Sequence, residues 1–320
     1  MKIDRTKAID YARRFWNRPC DDGVFWLTSH AIDVAKKRIE LKAPASDGWE
    51  PFFVSGGTRP GDDPEQAVFQ RTVGGVVETK LIQEWAGLAD CAHYLSKCLQ
   101  AGGIKVSELG VGSLVNTLQA RADTKTLAEK VSKDRGQRVV DSGILKEGDM
   151  IGYFNVDPDG DYGRAQSYTH STMYAGKLDA TDSGRVTCHT VARFPGRSWV
   201  NDQWWLHDGY NYTFIHFGDD DPPSAGTTTS LPGWWKVEYG SRTEYYYIYK
   251  DGRARYTLKA PTSNRELHAP EGTAYWFQGT GKITFIWRKT GTVEEWTTGA
   301  DPREYRISVN GTPGKSTQMF

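Results

Sequence analysis

The sequence predicts an α+β domain, with helices packed on an antiparallel sheet, followed by a small all-β module. The first observation is a helical period of apolar residues in two stretches of the N-terminal half. The second is a change at Gly148 to short β-rich runs separated by Asp and Gly turns. The third is a polar stretch rich in Pro, Gly and Thr at 218–233, beyond which Tyr and Trp become dense. We therefore expect one domain over residues 1–222 and a second over residues 234–320.

The helices are predicted from apolar periodicity and from residues that start or end a helix. The first helix covers residues 4–17, where Asp4 can accept a hydrogen bond from the first turn. The second covers residues 90–101, which begin at a suitable N-cap, Asp90, and are followed by a pair of glycines. Residues 106–132 are expected to form one or two further helices.

The strands are predicted from β-rich runs between turn residues. In the first domain these runs cover residues 149–154, 167–175 and 185–192. In the C-terminal module, the stretches 236–258 and 274–296 each hold an aromatic strand, a Gly turn and a second strand, which indicates a duplicated hairpin. Residues 21–80 mix short apolar runs with turns and favour no single element.

The Tyr and Trp residues of the C-terminal module have two interpretations. They form the cores and cross-strand pairs of small β units, or they form a platform that stacks on sugar rings or packs on a protein partner. Because successive side chains of a strand point to opposite faces, the tyrosine run 245–247 must place neighbours on both faces of the sheet. Both interpretations stay open at this point.

The charge pattern limits the kinds of partner. Lysine plus arginine equals aspartate plus glutamate, so the formal net charge is zero. Without a global basic field, we expect neither nucleic acid nor an anionic membrane as partner. The N-terminus is charged where a signal peptide needs an apolar run, and no stretch approaches the ~18 apolar residues of a membrane span. We therefore expect a protein that is cytoplasmic as made, with export only through a non-classical secretion system.

The cysteines and histidines indicate neither a disulfide framework nor a metal site. Four cysteines are too few and too scattered to form a disulfide framework in a chain of 320 residues. No CxxC or CxxH pair is present, and His207, His216 and His268 share no spacing typical of metal ligands. We therefore expect reduced thiols, no metal and no cofactor.

The pair Asp90-Cys91 is the first candidate for catalysis. A cysteine in the first turn of a helix feels the positive end of the helix dipole, which favours the thiolate. The free backbone N–H groups there can also stabilise an oxyanion. The plainer interpretation is a buried cysteine that packs as a small hydrophobe. Downstream, His170 lies in a predicted strand, from which it could take the thiol proton and return it to a leaving amine.

Four motifs surround these residues. In chain order they are DCAHYLSKCLQAGG, LKEGDMIGYF, THSTMYAG and VTCHTVARFPGRSW. Together, and over residues 5–217, they resemble the amidase-domain family of the NlpC/P60 superfamily. Members of that family are papain-like cysteine hydrolases, and many cleave peptide-type bonds in bacterial cell walls. The resemblance implies a papain-like fold for the first domain, with Cys91 as the nucleophile and His170 as the base.

The resemblance also implies the other members of the site. His189 matches a polar residue that orients the base, and Asp182 in the preceding turn is a second candidate for this role. The residues expected to bind the substrate are Asp90, His93, Tyr168 and Trp199. The sequence departs from the family at His93, where asparagine is frequent, and in an inserted loop at 155–166. Both departures concern substrate specificity.

These observations predict a cysteine-dependent amide or peptide hydrolase that acts on bacterial peptidoglycan peptides. Without a signal peptide, it would serve as an exported antibacterial effector, a phage lysin or a cytosolic recycling enzyme, with a carrier or inhibitor protein as a further partner. Two alternatives stay open. One is a thiol acyltransferase or protein deamidase that uses the same Cys-His pair. The other is a non-catalytic binding protein on the same scaffold.

Overall fold

The structure is a computed structural model that describes most of the chain. The described residues are 3–22, 24–29, 39–42, 48–55, 65–83, 86–88, 90–157, 166–189, 198–200, 209–218, 231–267, 269–279, 281–299, 301 and 303–320. The chain divides into two compact units. Unit 1 is Met1–Asp123 with Lys146–Asn211, and unit 2 is Thr124–Leu145 with Tyr212–Phe320.

The described residues form four helices and nineteen strands. In chain order these are α1 (Arg5–Phe15), β1 (Val24–Ser29), β2 (Ile39–Lys42), β3 (Glu50–Ser55), β4 (Glu65–Val73), β5 (Val76–Gln83), β6 (Ala86–Leu88), α2 (Cys91–Ala101), α3 (Val111–Gln119), β7 (Thr124–Val131), α4 (Lys133–Asp141), β8 (Met150–Asn155), β9 (Tyr168–Tyr174), β10 (Val186–Thr187), β11 (Tyr210–Phe217), β12 (Gly233–Tyr239), β13 (Arg242–Ile248), β14 (Arg253–Thr257), β15 (Gly272–Gly279), β16 (Lys282–Trp287), β17 (Thr292–Thr298), β18 (Glu304–Val309) and β19 (Thr312–Gln318).

The fold is mostly β, so the predicted α+β, papain-like class is wrong. The strands β12 to β19 close into an eight-stranded antiparallel barrel. Much of the region 21–80, where no element was predicted, forms the strands β1 to β5. Closure of the barrel depends on hydrogen bonds between β12 and β19, which are far apart in sequence, and no local pattern predicts such a pairing.

Unit 1 contains α1, α2 and α3 together with antiparallel strands. The strand orders are β2-β1-β6, β3-β4-β5 and β10-β9-β8. Helix α2 packs against α1 and against strand β9, and α3 packs against both α2 and β9. Helix α2 therefore contacts both other helices of the unit and the strand β9.

The helices predicted at 4–17 and 90–101 are confirmed as α1 and α2. Asp4 caps α1, because its Oδ1 accepts a hydrogen bond from the backbone N–H of Lys7 at 3.0 Å. Gly102 ends α2 at a close contact, since a Cβ there would lie 3.0 Å from the carbonyl oxygen of Asp4. Any side chain at this position would therefore push the end of α2 away from the start of α1.

The region 106–132 is only partly helical. Helix α3 is present, but Thr124–Val131 forms the strand β7, although one or two helices were expected over this region. Its Leu, Ala, Glu and Lys residues favour a helix, whereas pairing with β11 and full burial of Leu127 and Ala128 favour a strand. Here the tertiary contacts outweigh the local propensity. Helix α4, which follows directly, was not predicted.

Other predictions agree with the structure or lie partly outside the described residues. The strands predicted at 149–154 and 167–175 are confirmed as β8 and β9. The run predicted at 185–192 forms the short β10, and its last residues lie outside the described part. Most of the predicted linker at 218–233 also lies outside it. The boundaries of unit 2 group β7, α4 and β11 with the barrel strands.

In unit 2, aromatic side chains fill the barrel. Each strand from β12 to β19 pairs with the next, as expected for an antiparallel meander. The largest fully buried side chains of this core are Trp235, Tyr246, Phe285 and Trp296. On β13, Tyr246 is fully buried in this core, while Tyr245 and Tyr247 on either side of it are half-buried. Because successive side chains of a strand point to opposite faces, the tyrosine run is divided between the core and the outer face of the barrel.

Candidate functional site

The candidate site of unit 1 lies at the start of helix α2. Asp90 is the N-cap, and Cys91 is the first helical residue and is buried. The first turn is closed by a hydrogen bond from the backbone N–H of Tyr94 to the carbonyl of Asp90 at 2.9 Å. The carboxylate of Asp90 makes no capping hydrogen bond to the backbone N–H groups of the helix. It contacts two histidines instead.

The Asp90 carboxylate is buried and faces two imidazole rings. Its Oδ2 lies 3.3 Å from Nδ1 of His93 and 3.1 Å from Nδ1 of His189. Burial opposes the negative charge, but the attraction and hydrogen bonds of His189 and His93 outweigh burial and lower the pKa of Asp90. Asp90 is therefore a buried anion that joins two histidines.

His93 lies between two carboxylates. Its Nε2 is 2.9 Å from Oδ2 of Asp22, and its Nδ1 faces Asp90. Because a carboxylate only accepts hydrogen bonds, both ring nitrogens donate, and the ring is an imidazolium. Burial opposes this charge, but the hydrogen bonds to Asp90 and Asp22 raise the pKa of His93. Both ring nitrogens of this predicted substrate-binding residue are thus engaged within the protein.

His189 is fully buried and lies two residues after the end of β10. Its Nε2 donates a hydrogen bond to the carbonyl oxygen of Phe15 at 2.6 Å, and its Nδ1 faces Asp90. Its ring stacks on Tyr94 with a centroid distance of 4.0 Å. Both nitrogens are therefore used, and the structure leaves neither of them to hydrogen-bond His170.

His170 lies on β9, the strand against which α2 packs. It is buried and lies opposite Tyr153 of β8, with the two ring centroids 4.9 Å apart. The structure therefore brings the helix that begins with the predicted nucleophile, Cys91, against the strand that carries the predicted base.

The remaining predicted residues have contacts within the protein. Asp182, the second candidate to orient the base, accepts a hydrogen bond from Nε of Arg185 at 2.8 Å within its own turn. Tyr168 is half-buried at the start of β9. Trp199 is fully buried, and its carbonyl accepts a hydrogen bond from the hydroxyl of Tyr153 at 2.8 Å. A ring that is buried to this extent packs as part of the core.

Cys20, which sequence reasoning did not select, belongs to the same cluster. One ligand-type atom from each of Cys20, Asp90 and His189 lies within 4.8 Å of the other two, and all three residues are buried. Burial, and after it the charge of Asp90, raises the pKa of Cys20 well above its usual value, so this thiol is not an activated nucleophile. No motif spacing indicates the cluster, because its members come from three distant segments of the chain.

Comparison with protein-family models gives no match for this chain, and comparison with curated proteins gives none either. The likeness to the amidase-domain family therefore rests on the four motifs alone. Among the described helices, none combines the length and the apolar character that crossing a membrane requires.

Proposed function

We propose that this chain is a cysteine-dependent amide hydrolase, with Cys91 as the nucleophile and His170 as the base. The observation that carries the proposal is the packing of α2, which begins with Cys91, against β9, which bears His170. The first N–H groups of a helix lack intrahelical acceptors, and the helix dipole is positive there. The start of α2 thus favours a thiolate before the reaction and an oxyanion during it.

In the proposed reaction, His170 takes the proton of the Cys91 thiol, and the sulfur attacks the carbonyl carbon of a peptide-type amide. The C–N bond breaks as the imidazolium gives its proton to the leaving amine. The acyl group stays on sulfur as a thioester. Water, deprotonated by His170, then releases the acid and restores the thiol.

For the substrate we propose the peptides of bacterial peptidoglycan, which the motif resemblance implies. The same Cys-His pair would transfer the acyl group if an amine took the place of water, and would deamidate a side chain if the leaving group were ammonia. These reactions share every step up to the thioester. Their products distinguish them.

The test is to incubate purified peptidoglycan with the wild type and with Cys91→Ala, His170→Ala and Cys98→Ala, and to identify released products by mass spectrometry. Cys98 is a fully buried cysteine of the same helix and serves as the matched control. We expect the wild type and Cys98→Ala to release peptides, and the other two variants to be slower by about a thousandfold or more. Circular dichroism checks that each variant folds.

Two results would overturn the proposal. One is release of the same peptides by Cys91→Ala at the wild-type rate. The other is a folded wild type that releases no peptide and leaves every bond intact, in which case a binding role takes the place of catalysis.

A further inference from the structure

We propose that Cys20, Asp90 and His189 bind a zinc ion that ties together three segments of unit 1. These segments are the chain after α1, the start of α2 and the residues after β10. The proposal does not depend on the proposed function, because it requires no catalysis by Cys91. It replaces the expectation from the sequence that the chain binds no metal.

The residue types and their spacing suit zinc. A thiolate, an imidazole and a carboxylate are all zinc ligands, and the thiolate disfavours magnesium or calcium. In a tetrahedral zinc site, neighbouring ligand atoms lie about 3.3 to 3.7 Å apart. The three ligand atoms here lie within 4.8 Å of one another, so closing around an ion requires shifts of about 1 Å. Side-chain rotations can supply shifts of this size.

A second observation comes from the other oxygen of Asp90. Oδ1 is buried and has no hydrogen-bond partner among the described residues, although the side chain is a carboxylate. A buried acceptor without a partner destabilises the folded state, and the effect is larger when the acceptor is charged. A cation within the cluster would supply the missing partner. The same carboxylate would then bind the ion through one oxygen or through both.

The third observation is the orientation of His189. A histidine that binds a metal usually donates its other ring N–H to a carbonyl or carboxylate, which fixes the tautomer. Here Nε2 donates to the carbonyl of Phe15 at 2.6 Å, and stacking on Tyr94 holds the ring. The remaining nitrogen, Nδ1, lies 3.1 Å from Oδ2 of Asp90. This nitrogen therefore faces the cluster and becomes the ligand.

Binding replaces protons by the ion. Nδ1 of His189 and Oδ2 of Asp90 share a proton in the structure, because Nε2 already donates to a carbonyl. Zinc takes the place of that proton and of the thiol proton of Cys20, and both protons leave to the solvent. The thiolate and the carboxylate then neutralise the two positive charges of zinc. Three protein ligands leave a fourth position for water or for another group.

The first test uses the wild-type chain alone. The protein is stripped with a chelator and titrated with Zn²⁺ and, separately, with Co²⁺, while metal content, thermal stability and the absorption spectrum are measured. We expect about one zinc per chain, a higher Tm with zinc, and a thiolate-to-cobalt charge-transfer band. Absence of stoichiometric binding or of that band overturns the proposal, whatever the enzymatic activity.

The second test identifies the ligands. Cys20→Ser should weaken zinc binding by more than about a hundredfold and remove the charge-transfer band, because it deletes a ligand. Cys98→Ser, at a buried cysteine that is not in the cluster, is the matched control and should bind like the wild type. Equal affinities of Cys20→Ser and the wild type would overturn the assignment. Peptidoglycan cleavage is measured in parallel, so that failure of the metal site and failure of the hydrolase are told apart.

Discussion

Two carboxyl groups, each buried inside its own unit, have pKa values shifted in opposite directions. Asp90 of unit 1 faces His93 and His189, and these partners lower its pKa in spite of its burial. Glu294 of the barrel has neutral hydrogen-bond partners, including the hydroxyl of Tyr246, and burial raises its pKa to about 7. The charge of the neighbours, more than burial itself, thus decides whether a buried carboxyl ionises.

In the barrel, the contacts of Tyr246 show where the proton lies. Its hydroxyl is 3.0 Å from Oε2 of Glu244 and 2.7 Å from Oε1 of Glu294. One hydroxyl hydrogen serves only one of these contacts, so the other needs a protonated carboxyl that donates to the tyrosine oxygen. The raised pKa places this proton on Glu294 below about pH 7. Its other partners, the indole N–H groups of Trp287 and Trp296, are neutral.

The largest effect is expected when the charge of Asp90 is removed. Asp90→Asn takes the buried carboxylate away from His93 and His189, and His93 then keeps only Asp22 as a charged partner, so the free energy of unfolding should fall by about 3 to 5 kcal/mol. Urea unfolding with a chelator present measures the change without any contribution from metal. Asp10→Asn, at an exposed aspartate that pairs with Arg13, is the control and should change stability by about 0.5 kcal/mol or less. A loss below about 1 kcal/mol for Asp90→Asn would contradict the view that Asp90 is a buried anion stabilised by its histidine partners.

A smaller effect, with a distinct pH dependence, is expected at Glu294. The unfolded carboxyl has a pKa of 4.5 and the folded one a pKa of about 7. Below pH 4.5 both states are protonated, and the stabilising contribution is complete. As the pH rises towards 7 the unfolded state ionises first, so the free energy of unfolding falls by about 3 kcal/mol. Glu294→Gln cannot ionise and should lack this fall.

The measurement is urea unfolding followed by tryptophan fluorescence, from about pH 4 to about pH 8. The quantity to compare is the pH slope, that is, the change in the free energy of unfolding per pH unit. The difference between the wild type and the variant is used because the other groups titrate equally in both. Glu295→Gln, on the same strand but in an exposed pair with Lys282, should keep the wild-type slope. If Glu294→Gln also keeps the wild-type pH slope, the proton in the contact with Tyr246 does not reside on Glu294.

Local parts of the fold could be predicted from the sequence, but the closure of strands β12 to β19 into a barrel could not. The start of α1 follows from Asp4 and the end of α2 follows from Gly102, because caps and glycines act over a few residues. The dense aromatic strands of the C-terminal part were also predicted. Their closure into a barrel depends on pairing between Trp235 and Gln318, near the two ends of that part, and so on the whole strand order.

The site shows the same limit. Asp90 was predicted as a helix cap, and His93 is its neighbour one turn along the helix, so their contact is local. The contacts of Asp90 with His189 and with Cys20 join residues that are far apart in sequence. Nothing in the periodicity around Cys20 indicates them. The sequence therefore predicts the elements that carry the candidate nucleophile and base, but not the buried charge cluster beside them.

The smallest effect is expected for an ion pair at the surface of unit 2. This pair tests whether a charged neighbour stabilises a carboxylate strongly even when the pair is not fully buried. Nε of Arg288 lies 2.9 Å from Oε2 of Glu129, with side chains 35% and 26% exposed. Water screens this pair, and holding two long side chains costs entropy, so we expect a coupling free energy of about 0.5 kcal/mol that weakens with added salt. A double-mutant cycle with Arg288→Ala and Glu129→Ala measures it. The hydrogen bond from the backbone N–H of Glu129 to the carbonyl of Arg288 at 2.8 Å is available in every variant, so the cycle isolates the side chains. A coupling above about 2 kcal/mol would make this pair equivalent to the buried contacts of Asp90, and charged neighbours would then stabilise a carboxylate regardless of burial.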